Sequence, residues 1–128
     1  MVRTTYQYPQ FLYAYQPGEA TRNENGSYIA GTGAWVLQSA CREETNGKGT
    51  KIQLTNSESY VFASLIQIPA GAARIPEGTK IAVTTFEVEP EYLSDEAWLE
   101  ASRRVGLVRI TGEVAKYDVG RLHNRCWI

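Results

Sequence analysis

No apolar run in these 128 residues approaches the roughly 18 that a membrane span needs. The opening Met1-Val2-Arg3-Thr4-Thr5-Tyr6 also lacks the apolar core of a secretory signal. A membrane-spanning or exported precursor is therefore not expected; a cytoplasmic product is. An excess of one charge is missing too: 13 Lys and Arg stand against 14 Asp and Glu, a net charge of -1, which argues against a strongly basic nucleic-acid binder. Histidine occurs once, as His123, so a zinc site of the usual kind lacks a second imidazole. Cysteine occurs twice, and Cys41 and Cys126 are far too distant in sequence for a CxxC metal or redox pair. They are either two buried free thiols or one bridge between neighbouring strands.

What is present is ordinary globular material, with 43% hydrophobic and 21% charged residues, too apolar for intrinsic disorder. A chain of this size hides roughly two-thirds of the surface its unfolded form exposes, enough for one domain without metal or disulfide staples. Eleven Gly and five Pro mark turns at short intervals, and Val, Ile, Tyr, Thr and Phe fill the runs between them, so the chain reads as mainly β.

The first run, 5–15, is aromatic and interrupted by Pro9. Proline removes a ladder donor, so an arm or an edge strand is expected there. Residues 16–33 are polar and Gly-rich and read as a long flexible loop. A strand over 35–43 with Trp35, Leu37 and Cys41 on odd positions, the turn residues Asn46-Gly47, and an alternating run over 51–55 predict a hairpin. The strongest strand is expected over 60–68, stopped by Pro69, and another over 80–88, entered through Pro76-Glu77-Gly78.

One helix is predicted near residues 94–104. Ser94 suits the N-cap, Asp95 and Glu96 the first turn, Arg103 and Arg104 the last, and Gly106 the residue beyond. Trp98, Ala101 and Val105 give the stripe that lies on the sheet. Two closing runs, 107–117 and 121–128, complete five to seven strands, and the expected architecture is one small β-barrel domain over 1–128 with a single helix.

Catalytic signatures are scarce. Gly31-Thr32-Gly33-Ala34-Trp35 starts like a dinucleotide fingerprint but lacks the third Gly and runs into a strand. Asn46-Gly47-Lys48-Gly49-Thr50 resembles a phosphate loop but lacks the upstream Gly and the Ser or Thr after Lys. No cofactor, no metal and no catalysed reaction are expected. Interaction chemistry is better represented. Tyr6, Tyr8, Phe11, Tyr13 and Tyr15 are a strand's packing face, a docking arm offering amphipathic area, or a base-stacking platform that lacks a basic groove. Six acids from Glu87 to Glu100 precede a basic stretch from Arg103 to Arg125. These are solvated faces, or two patches that meet across a subunit boundary, with Glu96 and Glu100 opposite Arg121 and Arg125.

The order of segments resembles the head-closure proteins of tailed bacteriophages, also called head-tail connector or stopper proteins. The matching pieces are Gly33-Ala34-Trp35-Val36, the polar stretch from Cys41 to Gly49, the apolar run from Tyr60 to Pro69, Ile75-Pro76-Glu77-Gly78 leading into Ile81-Ala82-Val83, and the closing stretch from Gly112 to Ile128. Thr79-Lys80 stands where the family often has Asp, and residues 86–104 look like an insertion. The resemblance implies a virion protein, assembled in the host cytoplasm into a ring below the portal, that retains packaged DNA and docks the tail. Its implied partners are portal or adaptor ring proteins, tail-completion proteins and its own copies, with only non-specific proximity to DNA and no membrane. The loop that closes the channel in that family corresponds to 44–50, with Thr45, Asn46 and Lys48. The alternative is a free-standing β-barrel binding module for carbohydrate or single-stranded nucleic acid that uses the tyrosines.

Overall fold

Branched and aromatic side chains alternating between Gly and Pro turns suit a pleated, half-buried surface, and they form strands throughout. The computed structural model describes residues 2–18, 21–29 and 33–128. Gly31 and Thr32 of the incomplete fingerprint and residues 19–20 and 30–32 of the expected 16–33 loop lie outside the described residues. The strands are β1 (Gln10–Gln16), β2 (Thr21–Arg22), β3 (Tyr28–Ile29), β4 (Ala34–Thr45), β5 (Lys51–Gln53), β6 (Ser59–Val61), β7 (Ser64–Pro69), β8 (Lys80–Thr84), β9 (Val108–Glu113), β10 (Lys116–Asp118) and β11 (His123–Trp127). Seven of them form one antiparallel sheet in the order β10-β11-β7-β4-β1-β8-β9, while β2 with β3 and β5 with β6 make separate two-stranded ribbons.

The large sheet curls because two runs of the chain, β4 and the run that forms β9 and then β10, serve both halves. Residues 34–41 of β4 pair with β1, and residues 42–45 pair with β7. At the opposite side β9 pairs with β8, and after Val114 and Ala115 the same run continues as β10 against β11. The amide of Val114 donates to Thr79 O at 2.9 Å and that of Ala115 to Trp127 O at 2.7 Å, handing the ladder from one half to the other. The two outermost strands are thus consecutive parts of one chain run, and the result is the expected mainly β, half-barrel architecture with one α-helix.

Two bulges set which side chains face inward. Leu12 is opposite Ser39 but Tyr13 is opposite Leu37, so Gln38 is extra; Val83 is opposite Ile110 but Thr84 is opposite Val108, so Arg109 is extra. An extra residue reverses the alternation of a strand. Trp35 and Leu37 therefore face outward while Cys41 faces the barrel interior with Leu12, Ile66, Ile68, Ile81 and Val83. The outward face forms a second core, where Tyr13, Ala82 and Val108 meet Leu93 and Leu99. These last two belong to a 3-10 turn (Pro90–Ser94) and to α1 (Glu96–Arg104).

Several expectations are corrected. The tyrosine-rich run is not an arm or an edge: β1 lies between β4 and β8. Pro9 stands just before its first paired residue, so it costs no ladder bond. The predicted hairpin across Asn46-Gly47 does not form. The part of β4 next to that turn, residues 42–45, pairs with β7, and β5 pairs instead with β6 through a turn in which Ser57 takes a φ of 69°. The expected 60–68 strand is broken at Phe62-Ala63 into β6 and β7, and the 107–117 strand is broken at Val114-Ala115. The described part of the 16–33 stretch includes the β2–β3 ribbon, turned by Asn23, whose Oδ1 accepts from the amides of Asn25 and Ser27. The helix is capped by Asp95, which accepts from the Trp98 amide at 3.1 Å, and Ser94 ends the preceding 3-10 turn. Its buried residues are Leu99 and Ser102, with Trp98 half-buried, while Ala101 and Val105 are exposed. The 3-10 turn rotates the entering chain, so the buried stripe is not the one that spacing suggested.

Candidate functional site

The polar loop after β4 is where the resemblance places an interaction element. Asn46 anchors it: its Nδ2 donates to Thr50 O at 2.9 Å and to Phe62 O at 2.8 Å, and its Oδ1 accepts from the Thr50 amide at 3.0 Å. Thr45, an exposed residue at the end of β4, donates its hydroxyl to Glu43. Of the three loop residues singled out from sequence, Thr45 and Asn46 are engaged in these bonds and Lys48 stands exposed at the tip. A groove of about 390 Å³ runs between this loop and Phe62 and Leu65. Beyond it stands the β5–β6 ribbon, largely exposed, outside the seven-stranded sheet and tethered to it where Lys116 Nζ donates to Gln53 O at 2.9 Å.

The four tyrosines do not make one surface. Tyr6 is exposed, but Tyr8 is buried and Tyr13 is entirely so; the Tyr13 hydroxyl donates to Val88 O at 2.9 Å and accepts from the Val88 amide at 2.8 Å. Burial pushes its phenol up in spite of those bonds. Tyr15 packs on Trp35 with ring centroids 5.6 Å apart. Tyr8 and Tyr13 thus serve the fold, and docking through these tyrosines is left to Tyr6 and the partly exposed Tyr15.

The charged candidates are dispersed. Glu96 is exposed, whereas Glu100 pairs with Arg104 at 2.6 Å one helical turn on. Arg121 is exposed, and Arg125 lies over the Trp127 ring, 5.6 Å from its centroid. Part of the acidic stretch is therefore neutralised within the chain, and an exposed pair such as Glu100–Arg104 contributes at most about 1 kcal/mol.

Sequence reasoning passed over the one carboxylate that is buried among the described residues. The Glu43 side chain is 2% exposed, pointing inward on the same face of β4 as Cys41 and Thr45. Its Oε1 accepts from Arg109 Nε at 3.1 Å and lies 3.0 Å from Nη2 in an ion pair, and its Oε2 accepts from Ser64 at 2.7 Å and Thr45 at 2.8 Å. Burial pushes this carboxyl up, but the bonds from Ser64, Thr45 and Arg109, with the Arg109 charge, outweigh it and hold the carboxyl below the ordinary range. Three hydrogen bonds and the ion pair tie β4, β7 and β9 together, so the carboxylate acts as a staple. Once Cys41 is placed in the interior, the period of two puts Glu43 there as well, so the signal was available.

Cys41 and Cys126 are buried free thiols. Burial pushes Cys126 up to about 12, and it pushes Cys41 up too, reinforced by Glu43 and Cys126 nearby; thiols held protonated in this way are poor nucleophiles. Among the described residues no cluster of three or more His, Cys, Asp or Glu could hold a metal ion, and no helix is long and apolar enough to cross a membrane. No buried side-chain N or O among them lacks a hydrogen-bond partner. Comparison with family models, with curated proteins and with solved structures finds nothing that matches this chain.

Proposed function

We propose that this chain is a structural subunit of the head-tail connector of a tailed bacteriophage, one of a ring that sits below the portal, retains the packaged DNA and receives the tail. The observation that carries the reading is the division of labour in the fold. A curled half-barrel whose buried side-chain N and O atoms, among the described residues, all have hydrogen-bond partners bears the β5–β6 ribbon and the Lys48 loop tip on its outside. Neither is needed to complete the barrel sheet, and both offer backbone and side chains to a neighbour. A two-stranded ribbon is marginal by itself in water, so one retained outside the main sheet gains its order most economically against a partner. The work is done by interfaces with portal or adaptor subunits, with tail-completion proteins and with sister copies. A binding module built on a tyrosine platform has less support, since Tyr8 and Tyr13 are spent in the core.

The test is genetic. A nonsense mutation in the gene for this chain, in the phage that carries it, should yield heads that have lost their DNA together with separate, complete tails. Normal tailed, DNA-filled particles from the mutant would overturn the proposal.

A further inference from the structure

Asparagine carries a carboxamide that its own backbone can attack. The amide nitrogen of the next residue closes on the carboxamide carbon when the side chain is free to rotate onto it, and a following glycine, having no side chain, leaves that approach unshielded. The chain has five asparagines, Asn23, Asn25, Asn46, Asn56 and Asn124, and two of them, Asn25 and Asn46, precede glycine. By sequence those two sites are equivalent. Their surroundings are not.

Four of the five carboxamides are held. Asn46 donates from Nδ2 to Thr50 O and Phe62 O and accepts at Oδ1 from the Thr50 amide. Asn124 is buried and held at both ends, with Nδ2 donating to Ala72 O and the Tyr117 hydroxyl and Oδ1 accepting from the Gly120 amide. Asn23 Oδ1 accepts from the amides of Asn25 and Ser27, and Asn56 Oδ1 from that of Glu58 at 3.1 Å. Asn25 stands exposed in the turn of the β2–β3 ribbon, and the turn grips only its backbone: its carboxamide makes no hydrogen bond among the described residues. The glycine amides do not separate the two sites, since Gly26 donates to Asn23 O and Gly47 to Thr45 O, both at 3.0 Å.

We infer that Asn25-Gly26 is a site of spontaneous covalent modification, where Asn25 is converted to aspartate and isoaspartate, while the fold protects Asn46-Gly47 from the same reaction. The Gly26 nitrogen bonds to the Asn25 carboxamide carbon, the bond from that carbon to Nδ2 breaks, and the Gly26 proton leaves with Nδ2 as ammonia. A five-membered imide remains. Water then opens it at one carbonyl to give aspartate or at the other to give isoaspartate, in which the main chain runs through the side-chain carbon. The balance is carboxamide and water to carboxylate and ammonium, so no oxidant and no second protein is needed. At Asn46 the same rotation must first release three hydrogen bonds, which raises the barrier there. The product adds a negative charge beside Glu24, and the isoaspartate form lengthens the turn in which the Asn23 amide donates to Ser27 O at 2.8 Å. What it disturbs is therefore the pairing of Arg22 with Tyr28. That ribbon is separate from the seven-stranded sheet, and the barrel keeps its fold.

Peptide mapping by mass spectrometry reads both sites in one sample, because cleavage after Arg22, Arg42 and Lys48 puts Asn25 and Asn46 on separate peptides. Fragmentation then places the amide-to-acid mass change on a residue. The full chain is held at mildly alkaline pH in its native state and, in parallel, unfolded in guanidinium, and both are sampled over weeks. Unfolded, the two sites should convert at similar rates. Folded, Asn25 should stay within a few-fold of its unfolded rate, whereas Asn46 should slow by an order of magnitude or more. Asn25→Asp, which carries the acid without the imide step, should match the parent in thermal midpoint. Conversion of Asn25 no faster than that of Asn46 in the folded chain would overturn the proposal. Asn46 converting equally fast folded and unfolded would overturn the protection, and a midpoint lowered by Asn25→Asp would overturn the confinement of the change to the ribbon.

Discussion

Glu43 is the residue on which the two halves of the barrel depend together. Its carboxylate joins β4 to Ser64 of β7 and to Arg109 of β9, and Arg109 reaches it as the extra residue of a bulge, a device that commonly re-aims a side chain. Because its folded pKa lies below the unfolded value of about 4.3, the stability it contributes is present above that pH and is lost as pH falls through the folded value. Glu43→Gln should therefore flatten the acid limb of the stability curve and leave less to lose below about pH 4. Arg109→Ala strands a buried anion with two hydroxyl donors and should cost about 1–3 kcal/mol at neutral pH. Urea denaturation from acid to neutral pH checks both. An acid limb unchanged by Glu43→Gln would show that the carboxylate does not couple folding to protonation.

Among the elements, those whose signal is local were legible in the sequence and those whose signal is competitive were not. The helix was placed to within two residues because acidic and basic ends and a C-terminal Gly mark it without reference to the rest of the molecule. The apolar runs that hold β7 and β8 were legible for the same reason, bounded by Pro and Gly, although the expected 60–68 strand is split into β6 and β7 and the expected 80–88 strand ends at Thr84. The pairing of β4 was not legible, since Asn46-Gly47 is a good turn signal whichever strand follows, and only the prior claim of β7 on residues 42–45 sends β5 to β6. The central place of β1 was hidden by Pro9, which lies one residue outside the ladder. Bulges at Gln38 and Arg109 reverse the alternation without any mark in composition, so the inward Glu43 and the outward Trp35 could not both follow from one parity. Of the candidate site, the loop and the exposure of Lys48 at its tip were legible; Asn46 and Thr45 were given an interaction role but make hydrogen bonds within the fold. The ribbon prediction belongs here. Replacing residues 51–61 by a short Gly-Ser linker removes no residue of the seven-stranded sheet, so the thermal midpoint should stay within a few degrees while incorporation into particles is lost. A midpoint that collapses would make the ribbon part of the fold instead.

At the scale of the whole molecule, the chain has two cores on the two faces of one curled sheet. The inner one closes the barrel, and the outer one seats the 3-10 turn and the helix over β1, β8 and β9. In the ring we propose, this two-core body would supply the fixed frame, and its exposed ribbon and loop tip the surfaces that neighbours reach. The purified chain should then be monomeric at micromolar concentration by light scattering, because no face carries enough apolar area for a lasting interface; a tight closed ring of the isolated protein would contradict that. The central claim, that the barrel is a connector subunit, is tested most directly by electron cryomicroscopy of the head-tail junction of the phage that encodes it. The account predicts a ring of these barrels directly below the portal, with the β5–β6 ribbon engaged by a neighbouring subunit. A junction whose density is fully occupied by other chains would contradict it.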